Sequence, residues 1–323
     1  MTQAMPGAAT AEEPLGTTRH TTLEVEREPP PSPSTIDLHT HSIRSDGLLT
    51  PAELVDAAAA AGVHLLALAD HDTLAGVRKL RAAGRVPDGL ELVPGVEINS
   101  VAAGRVRSDD GELHMLGLGV DVDDEAFEAT LARQRDARRL RFELMRDRLR
   151  AVDPAIDTAI DALPATGDED SLGRPRLARA LVATGHAATV SDAFDRLLAP
   201  GRPAYVPRQG VGPIEAIAAI RAAGGLPVLA HFADAPRQVP LIRELIEAGL
   251  AGLEVYYAAF DRPTIEGLAT VARDLGLLMT GGTDYHGDLG SYAEAHARLW
   301  VPDEVGGPVR AALRATDAPR LLA

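Results

Sequence analysis

The chain of 323 residues contains no cysteine. Disulfide bonds and thiolate metal sites are therefore excluded, and any metal ion must be held by nitrogen and oxygen ligands. Long hydrophobic runs are also missing. The longest apolar stretch, around residues 57–69, is interrupted by His64 and is too short to cross a bilayer. The sequence therefore predicts no membrane span.

Basic residues are the minority among the charged ones. The chain has 32 lysines and arginines against 47 aspartates and glutamates, a formal charge of −15. This balance argues against binding of nucleic acid by bulk charge, although a local basic patch is compatible with it. The N-terminus lacks a basic start followed by an apolar core, so we expect no signal peptide and a cytoplasmic location. Nothing in the sequence indicates an obligate protein partner.

Apolar segments typical of β-strands alternate with helical segments from about residue 35 onward. The predicted strands are residues 35–39, 65–69, 90–98, 113–120, 226–231, 253–257 and 277–280. Thr50, Pro51 and Glu53 form a clear helix start, with a capping threonine and a glutamate three residues later. This alternation predicts an α/β fold with a parallel sheet, either open or closed.

Two parts of the chain depart from this rhythm. Residues 1–34 are rich in Glu, Thr and Pro, and we expect them to form a disordered tail. Residues 121–225 read as helices without strong strands, between strands four and five. We expect this helical insertion to cover the active-site face of a barrel formed by residues 35–120 and 226–323.

The first helix of the insertion, about residues 124–152, carries eight arginines between Arg133 and Arg150. Acidic residues accompany them, so one interpretation is a solvated helix with intrahelical ion pairs. The alternative is that some of these arginines attract a polyanionic substrate. The sequence leaves both interpretations open.

Nine imidazole and carboxylate side chains lie at or near the ends of the predicted strands. They are His39, His41, Asp46, His71, Glu97, His114, His231, Asp284 and His286. Side chains of these types hold Mn, Fe or Zn. Nine of them are too many for one ion and suit a cluster. Because the carboxyl ends of strands converge in a parallel barrel, we predict one multinuclear metal site.

Spacing supports part of this set. His39 and His41 are two residues apart, so on a strand both rings point to the same side and can bind one ion. Asp284 and His286 repeat that spacing after the last strand. The carboxylate of Glu97 can bridge two ions, which an imidazole cannot do as readily.

Each of these residues also has an ordinary explanation when taken alone. Asp46 lies in an Asp-Gly pair that favours a turn in any protein. Asp70 and Asp72 are candidates to orient the ring of His71, but either could instead cap the following helix. His114, at the start of its strand, also fits a surface or core histidine.

Taken together, the motifs resemble those of the PHP (polymerase and histidinol phosphatase) family of metal-dependent phosphoesterases. The matching segments are Asp37-Leu38-His39-Thr40-His41, Ser45-Asp46-Gly47, Ala69-Asp70-His71-Asp72, Pro94-Gly95-Val96-Glu97, His114-Met115-Leu116-Gly117, Ala230-His231 and Thr283-Asp284-Tyr285-His286. All nine ligand positions of the family are filled by suitable residue types, over about residues 35–300. The resemblance implies a distorted, TIM-like (β/α)7 barrel that binds three divalent metals.

The resemblance also implies how the ligands are shared. It assigns a first ion to His39, His41, Glu97 and Asp284, a second to Glu97, His114 and His231, and a third to Asp46, His71 and His286. Manganese is the expected metal, with iron or zinc as alternatives.

The predicted insertion resembles that of bacterial nucleotide phosphoesterases. Its marks are Gly173-Arg174-Pro175, Ala193-Phe194 and Gly201-Arg202-Pro203-Ala204-Tyr205-Val206. The resemblance implies that Arg174, Arg176 and Tyr205 contact substrate. Arg176 departs from the family pattern, which has histidine after Arg-Pro. A simpler explanation is that Arg174 starts a surface helix with Pro175 in its first turn.

These features imply a phosphoesterase in which metal-activated water attacks phosphorus. Glu97 and Asp284 are the expected catalytic residues, since both anchor ions and Asp284 is the candidate acceptor of the water proton. Arg174 and Arg176 would stabilise charge on the phosphoryl group. The expected substrate is a phosphorylated small molecule, above all a 3′,5′-bisphosphate nucleotide.

Three alternatives remain. Relatives of this type also include 5′→3′ exonucleases that trim short 5′-phosphorylated RNA. A phosphatase for a non-nucleotide ester such as histidinol phosphate is a second alternative, against which the inserted helices argue. A non-catalytic metal-binding module is a third, against which the complete ligand set argues.

Overall fold

Seven strands form one sheet in the structure, which is a computed structural model. It describes residues 34–102, 111–163, 172–288 and 290–316, so the predicted tail at residues 1–34 lies outside the described residues except for its last position. Each strand is hydrogen-bonded to the next one along the sequence. The strands are β1 (Ile36–Thr40), β2 (Leu65–Leu68), β3 (Glu91–Val101), β4 (Glu112–Leu118), β5 (Leu226–Leu229), β6 (Gly252–Tyr257) and β7 (Leu278–Gly282).

The last strand returns to the first, so the sheet forms a nearly closed barrel. The amide of Asp284 donates to the carbonyl oxygen of His39 at 2.8 Å, and the amide of His41 donates to that of Tyr285 at 3.0 Å. The prediction of a distorted (β/α)7 barrel is confirmed. Gly282 allows this closure, because a Cβ atom there would lie 2.6 Å from His39 N and closer still to His39 Cβ.

The prediction of a parallel sheet is wrong for one strand. β4 is antiparallel to both β3 and β5, whereas the other neighbouring strands pair in parallel. The reason is the short connection: β3 ends at Val101 and β4 begins at Glu112, too close for the crossover helix that parallel strands need. The start of β4 therefore lies beside the carboxyl end of β3.

Helices fill the connections between most strands of the described chain. They are α1 (Pro51–Ala60), α2 (Ala75–Ala83), α3 (Glu125–Val152), α4 (Pro154–Ala162), α5 (Arg174–Ala183), α6 (Val190–Ala193), α7 (Pro213–Ala222), α8 (Val239–Ala248), α9 (Arg262–Leu275), α10 (Tyr292–His296) and α11 (Gly306–Ala315). The predicted start of α1 is confirmed, because Thr50 and Glu53 form a reciprocal capping box. Helices α3 to α7 form the predicted insertion between strands four and five.

The apolar side chains form two cores. The larger core fills the barrel and includes Phe127 and Leu131 from the first part of α3 and Ile217 from α7. The smaller core lies within the insertion and includes Phe142 and Met145 from the second part of α3. Helix α3 therefore belongs to both cores. The domain boundaries at residues 121 and 225 stay a prediction, since both ends of that range pack with the barrel.

None of the described helices is both long enough and apolar enough to span a membrane. The cytoplasmic location stays a prediction.

Replacement of Gly282 by alanine should destabilise the barrel, because the added Cβ would overlap His39 and push β7 away from β1. Over-packing of this kind typically costs about 1–3 kcal/mol. We expect urea denaturation to show a fall of about that size in the free energy of unfolding. Gly307→Ala on α11 is the matched control, because a methyl group there meets no atom within 4 Å. Equal unfolding midpoints for the two variants would contradict the close approach.

Candidate metal centre

Nine imidazole and carboxylate side chains meet at one rim of the barrel. They come from the carboxyl ends of the parallel strands, from the loops that follow, and from the start of β4. All nine residues predicted from the sequence as metal ligands are brought together there: His39, His41, Asp46, His71, Glu97, His114, His231, Asp284 and His286. The direction of β4 explains the position of His114, because an antiparallel strand starts where its parallel neighbours end.

The first group of donor atoms comes from three strands. It contains Nε2 of His39 and of His41, Oε2 of Glu97 and Oδ1 of Asp284. Each imidazole nitrogen lies 3.3 Å from the Glu97 oxygen. The Asp284 oxygen is 3.3 Å from His39 and 3.0 Å from His41. Two donors that share one ion at about 2.1 Å lie about 3.0–3.4 Å apart, so this group has the dimensions of a single metal site.

The second group shares Glu97 with the first. Oε1 of Glu97 lies 2.7 Å from Nδ1 of His114 and 3.3 Å from Nε2 of His231. The two oxygens of one carboxylate thus face two different groups. Glu97 is buried at the base of the centre, with no exposed surface. This geometry is that of a bridging ligand.

The third group surrounds Asp46. Oδ1 of Asp46 lies 3.2 Å from Nε2 of His286, and Oδ2 lies 3.6 Å from Nε2 of His71. His41 also belongs to this group, with Nδ1 at 4.0 Å from Asp46. The resemblance assigned His41 to the first ion alone, whereas in the structure its ring lies between the first and third groups.

Several buried donor atoms in these groups make no hydrogen bond with the described residues. They are Nε2 of His39, both ring nitrogens of His41, Oδ1 of Asp46, Nδ1 of His71, Oε2 of Glu97 and Oδ1 of Asp284. Buried polar atoms without partners are costly, and seven at one place need a common explanation. Nitrogen and oxygen lone pairs directed at one another are satisfied by cations between them. The residues therefore fit divalent metal ions.

The three carboxylates of the centre are held in their ionised form. Burial opposes ionisation of Glu97, but the imidazoles around it, His71 first, hold its pKa well below the usual value. The pKa of Asp46 is likewise lowered despite burial, mainly by His71 and His286. The pKa of Asp284 is lowered against burial by His39 and His286. Anionic carboxylates at neutral pH are the form that binds metal.

Backbone strain also concentrates at this rim. Three non-glycine residues of the described chain have positive φ: Asp72 at 55°, His231 at 30° and Asp284 at 52°. Such conformations cost about 1–3 kcal/mol each and persist where the surroundings enforce them. All three follow strands of the barrel, and two of them belong to the ligand set.

The two aspartates predicted to orient His71 contact other groups. Asp70 accepts hydrogen bonds from the amide of Ser42 at 2.7 Å and from the hydroxyls of Ser42 and Ser45 at 2.8 and 2.9 Å. It thus holds the loop that leads to Asp46. Asp72 instead accepts from Arg138 and Arg208, both in the insertion. Outside the nine-residue set, Glu254 is the carboxylate of the described chain that lies within hydrogen-bonding distance of one of its imidazoles, and it was not predicted from the sequence.

A cavity of about 220 Å³ opens between the metal-ligand groups and the insertion. Its lining also includes four arginines, which we call the arginine wall: Arg138, Arg141, Arg174 and Arg208. Arg138 and Arg141 lie on α3, so two of its eight arginines face the cavity. The intrahelical ion pairs of the other interpretation are found elsewhere on α3, where Arg150 lies 2.9 Å from Asp147.

Two buried carboxylates fix the arginine wall. Oδ2 of Asp72 accepts from Arg138 Nε at 3.0 Å and from Arg208 Nη2 at 2.9 Å. Glu112 accepts from Arg141 at 2.9 Å, and although burial opposes its ionisation, Arg208 and Arg141 lower its pKa to about 2. Burial and the nearby Arg138 lower the pKa of Arg208 to about 10, so it is still charged at neutral pH. Asp72 and Glu112 thus hold three of the four guanidinium groups of the wall in place.

The three predicted substrate contacts occupy different positions. Arg174 begins α5 and lines the cavity, with its guanidinium carbon 5.2 Å from the centre of the Phe194 ring. Arg176 is directed elsewhere, because its Nη2 donates to the carbonyl oxygens of Ile160 and Leu163 at 3.0 and 3.1 Å. Tyr205 packs under Arg141, with its ring centre 5.5 Å from the guanidinium carbon.

Some residues of the site were not predicted from the sequence, and they differ in how far a sequence pattern could have revealed them. Glu254 is a lone carboxylate inside the apolar strand β6, which is itself a sign of a role. Arg208 and Glu112 stand among other polar residues in the sequence, so neither is distinguished by its neighbours. Arg138 and Arg141 could not be separated from the other arginines of α3, because their direction depends on how the helix docks.

Comparison with known proteins agrees with this geometry. Residues 37–142 match the family model of the PHP domain. The chain is 34% identical over 277 residues to a 5′-3′ exoribonuclease Rnm of Salmonella typhimurium, covering 84% of this chain and 91% of that protein. The chain belongs to the PHP family.

Two further members support the same conclusion. A 3′,5′-nucleoside bisphosphate phosphatase of Chromobacterium violaceum is 35% identical over 260 residues, which cover 78% of this chain and 87% of that protein. A solved structure described as a metal-dependent phosphoesterase of Bifidobacterium adolescentis has 33% identity and a TM-score of 0.74, and it covers 88% of this chain and 98% of its own. This PHP-family chain is a metal-dependent hydrolase of phosphate esters.

Proposed function

We propose that this PHP-family enzyme removes the 3′-phosphate of a 3′,5′-bisphosphate nucleotide. The observation that carries the proposal is one cavity lined both by residues of the three donor groups and by the arginine wall. A substrate with two phosphates fits such a site, because one can react at the metal centre while guanidinium groups bind the other. The relative from C. violaceum is named for hydrolysis of a nucleotide of this kind.

We further propose that each of the three groups holds one divalent ion, with manganese expected and iron or zinc as alternatives. The support is the donor set, which contains only nitrogen and oxygen, together with the buried atoms that make no hydrogen bond within the described chain. When bound, such ions supply Lewis acidity that activates water and neutralises charge on phosphoryl oxygens.

The proposed catalytic residues act through their positions. Glu97 directs one carboxylate oxygen into the first group and the other into the second, and so sets their spacing. Asp284 offers Oδ1 to the first group, and the hydroxyl of Tyr257 donates to its Oδ2 at 3.3 Å. The role of Asp284 as proton acceptor stays a prediction, and its lowered pKa favours the role of ligand.

The rival function is trimming of short 5′-phosphorylated RNA, which is supported by the relative named as a 5′-3′ exoribonuclease. The arginine wall would serve there too, by binding the 5′-phosphate.

A substrate panel distinguishes these functions. We expect the Mn²⁺-loaded enzyme to release phosphate from adenosine 3′,5′-bisphosphate with a kcat/KM about 100-fold above that for adenosine 3′-monophosphate. The reason is that charge-assisted hydrogen bonds to the second phosphate are worth about 1.5–3 kcal/mol each. A 5′-phosphorylated pentaribonucleotide, assayed for released mononucleotide, is the third substrate.

Each result decides between the candidates. Equal kcat/KM values for the bisphosphate and the 3′-monophosphate would contradict binding of a second phosphate. Release of mononucleotides from the RNA, without phosphate release from the bisphosphate, would assign the site to the exonuclease instead.

A further inference from the structure

Strand β6 carries one buried charge in an otherwise apolar sequence. Its residues are Gly-Leu-Glu-Val-Tyr-Tyr, and the side chain of Glu254 has no exposed surface. Removal of a carboxylate from water is expensive unless the new contacts compensate it. The contacts of Glu254 therefore indicate what it does.

The first contact is to a ligand imidazole. Oε1 of Glu254 lies 3.0 Å from Nδ1 of His39, on the side of the ring away from the first group. A carboxylate there accepts the Nδ1 proton and leaves Nε2 as the ligand nitrogen. Nε2 of His39 in turn lies 3.3 Å from Glu97 and from Asp284.

The second contact is to the backbone of another ligand. Oε2 of Glu254 accepts a hydrogen bond from the amide of His231 at 2.8 Å. His231 has φ of 30°, a conformation that a non-glycine residue adopts at a cost, so this bond holds a strained position. The ring of His231 then lies parallel to that of His39, with centres 5.7 Å apart, and reaches Oε1 of Glu97.

We propose that Glu254 is a positioning residue that holds the ligands of two metal ions at once. One oxygen fixes the ring of His39 in the first group, and the other fixes the backbone of His231 in the second. Glu97 contacts the Nε2 atoms of the same two histidines. Glu254 and Glu97 together would therefore set the separation of the two ions. This role rests on the metal centre proposed above.

The barrel itself offers a comparison for a purely structural role. Thr280 on β7 lies opposite Glu254 in the register of the sheet and is equally buried. Within the described chain its hydroxyl donates to the carbonyl oxygen of Leu253 alone, at 3.4 Å. A buried polar group in this part of the sheet thus exists without contact to any metal ligand. Thr280→Val is therefore the matched control.

The test is a titration of the metal-free protein with Mn²⁺. Calorimetry measures the affinity, and electron paramagnetic resonance reports on coupling between the bound ions. Glutamine at position 254 keeps the size of the side chain but cannot accept hydrogen bonds at both ends. We expect Glu254→Gln to weaken Mn²⁺ binding at one or more sites by about 10–100-fold, the usual effect of losing a partner behind a ligand. The resonance signal of coupled Mn²⁺ ions should change as well.

The controls separate positioning from stability. In EDTA, Glu254→Gln should still unfold cooperatively in urea, so that Mn²⁺ affinity is measured on folded protein, and Thr280→Val should bind Mn²⁺ normally. Glu254→Asp keeps the charge but has a side chain one methylene shorter, so it should also bind Mn²⁺ weakly. It replaces the glutamine variant in the test if that variant does not fold.

Two results would overturn the proposal in different ways. Wild-type Mn²⁺ affinity and resonance spectrum in a folded Glu254 variant would remove the positioning role and leave the metal centre intact. A wild-type protein that takes up no Mn²⁺, Fe²⁺ or Zn²⁺ would overturn the metal centre, and this role with it.

Discussion

Glu97→Gln should reduce phosphate release by about 10³-fold or more while the protein stays folded. Glu97 is the only residue that belongs to both the first and second groups of the described centre, so its loss affects two proposed ions together. Glutamine offers one neutral oxygen in place of two charged ones. The effect should match or exceed the roughly 10²–10³-fold loss that follows removal of one electrostatic contact in other active sites.

The measurement is kcat at saturating substrate and Mn²⁺, with metal content determined on the same sample. Glu91→Gln is the matched control, since Glu91 lies on the same strand β3 but pairs with Arg310 at 2.8 Å, away from the cavity. That variant should keep its activity within about twofold. Wild-type kcat of Glu97→Gln at equal metal content would contradict the role of Glu97 as a ligand shared by two ions.

Arg174→Gln should lower kcat/KM for a 3′,5′-bisphosphate nucleotide by about 100-fold and for the 3′-monophosphate by much less. Arg174 lines the cavity at the start of α5, directly after Gly173. A Cβ atom on Gly173 would lie 3.1 Å from Oδ2 of Asp46, so this end of the helix is close to the third group. Glutamine can still donate hydrogen bonds, but it lacks the charge and the forked geometry that suit phosphate.

Arg176 supplies an internal comparison two residues away. Its guanidinium binds the carbonyl oxygens at the end of α4, so Arg176→Gln should change kcat/KM by less than about threefold. The two variants should be assayed side by side on both nucleotides. Equal losses from both would show that α5 acts through its stability rather than through Arg174, and would count against the arginine wall as a phosphate site.

The sequence predicted that these nine side chains lie together because they stand at or near the ends of strands. A pair such as His39 and His41 at the end of a strand needs only the two-residue period of the strand to face one side. His71, Glu97 and His231 follow from the convergence of strand ends in a barrel. Capping chemistry at Thr50 likewise fixed the start of α1 within a few residues.

The remainder depends on contacts between distant parts of the chain. The direction of β4 follows from the length of one connection, which the alternation of strands did not reveal. The arginine wall depends on the docking of α3, so no pattern distinguishes Arg138 from its neighbours. Asp70 accepts hydrogen bonds from Ser42 rather than from the adjacent His71. Which of the two it contacts is decided by packing across the rim.

Helix α3 has a consequence for how the enzyme can change in evolution. Its 28 residues, about 42 Å, begin in the barrel core with Phe127 and Leu131 and end in the core of the insertion with Phe142 and Met145. Each residue inserted between those halves would rotate the second by about 100° and advance it by about 1.5 Å. Arg138 and Arg141 would then move away from the cavity, so the length of α3 between the two cores determines where its arginines point.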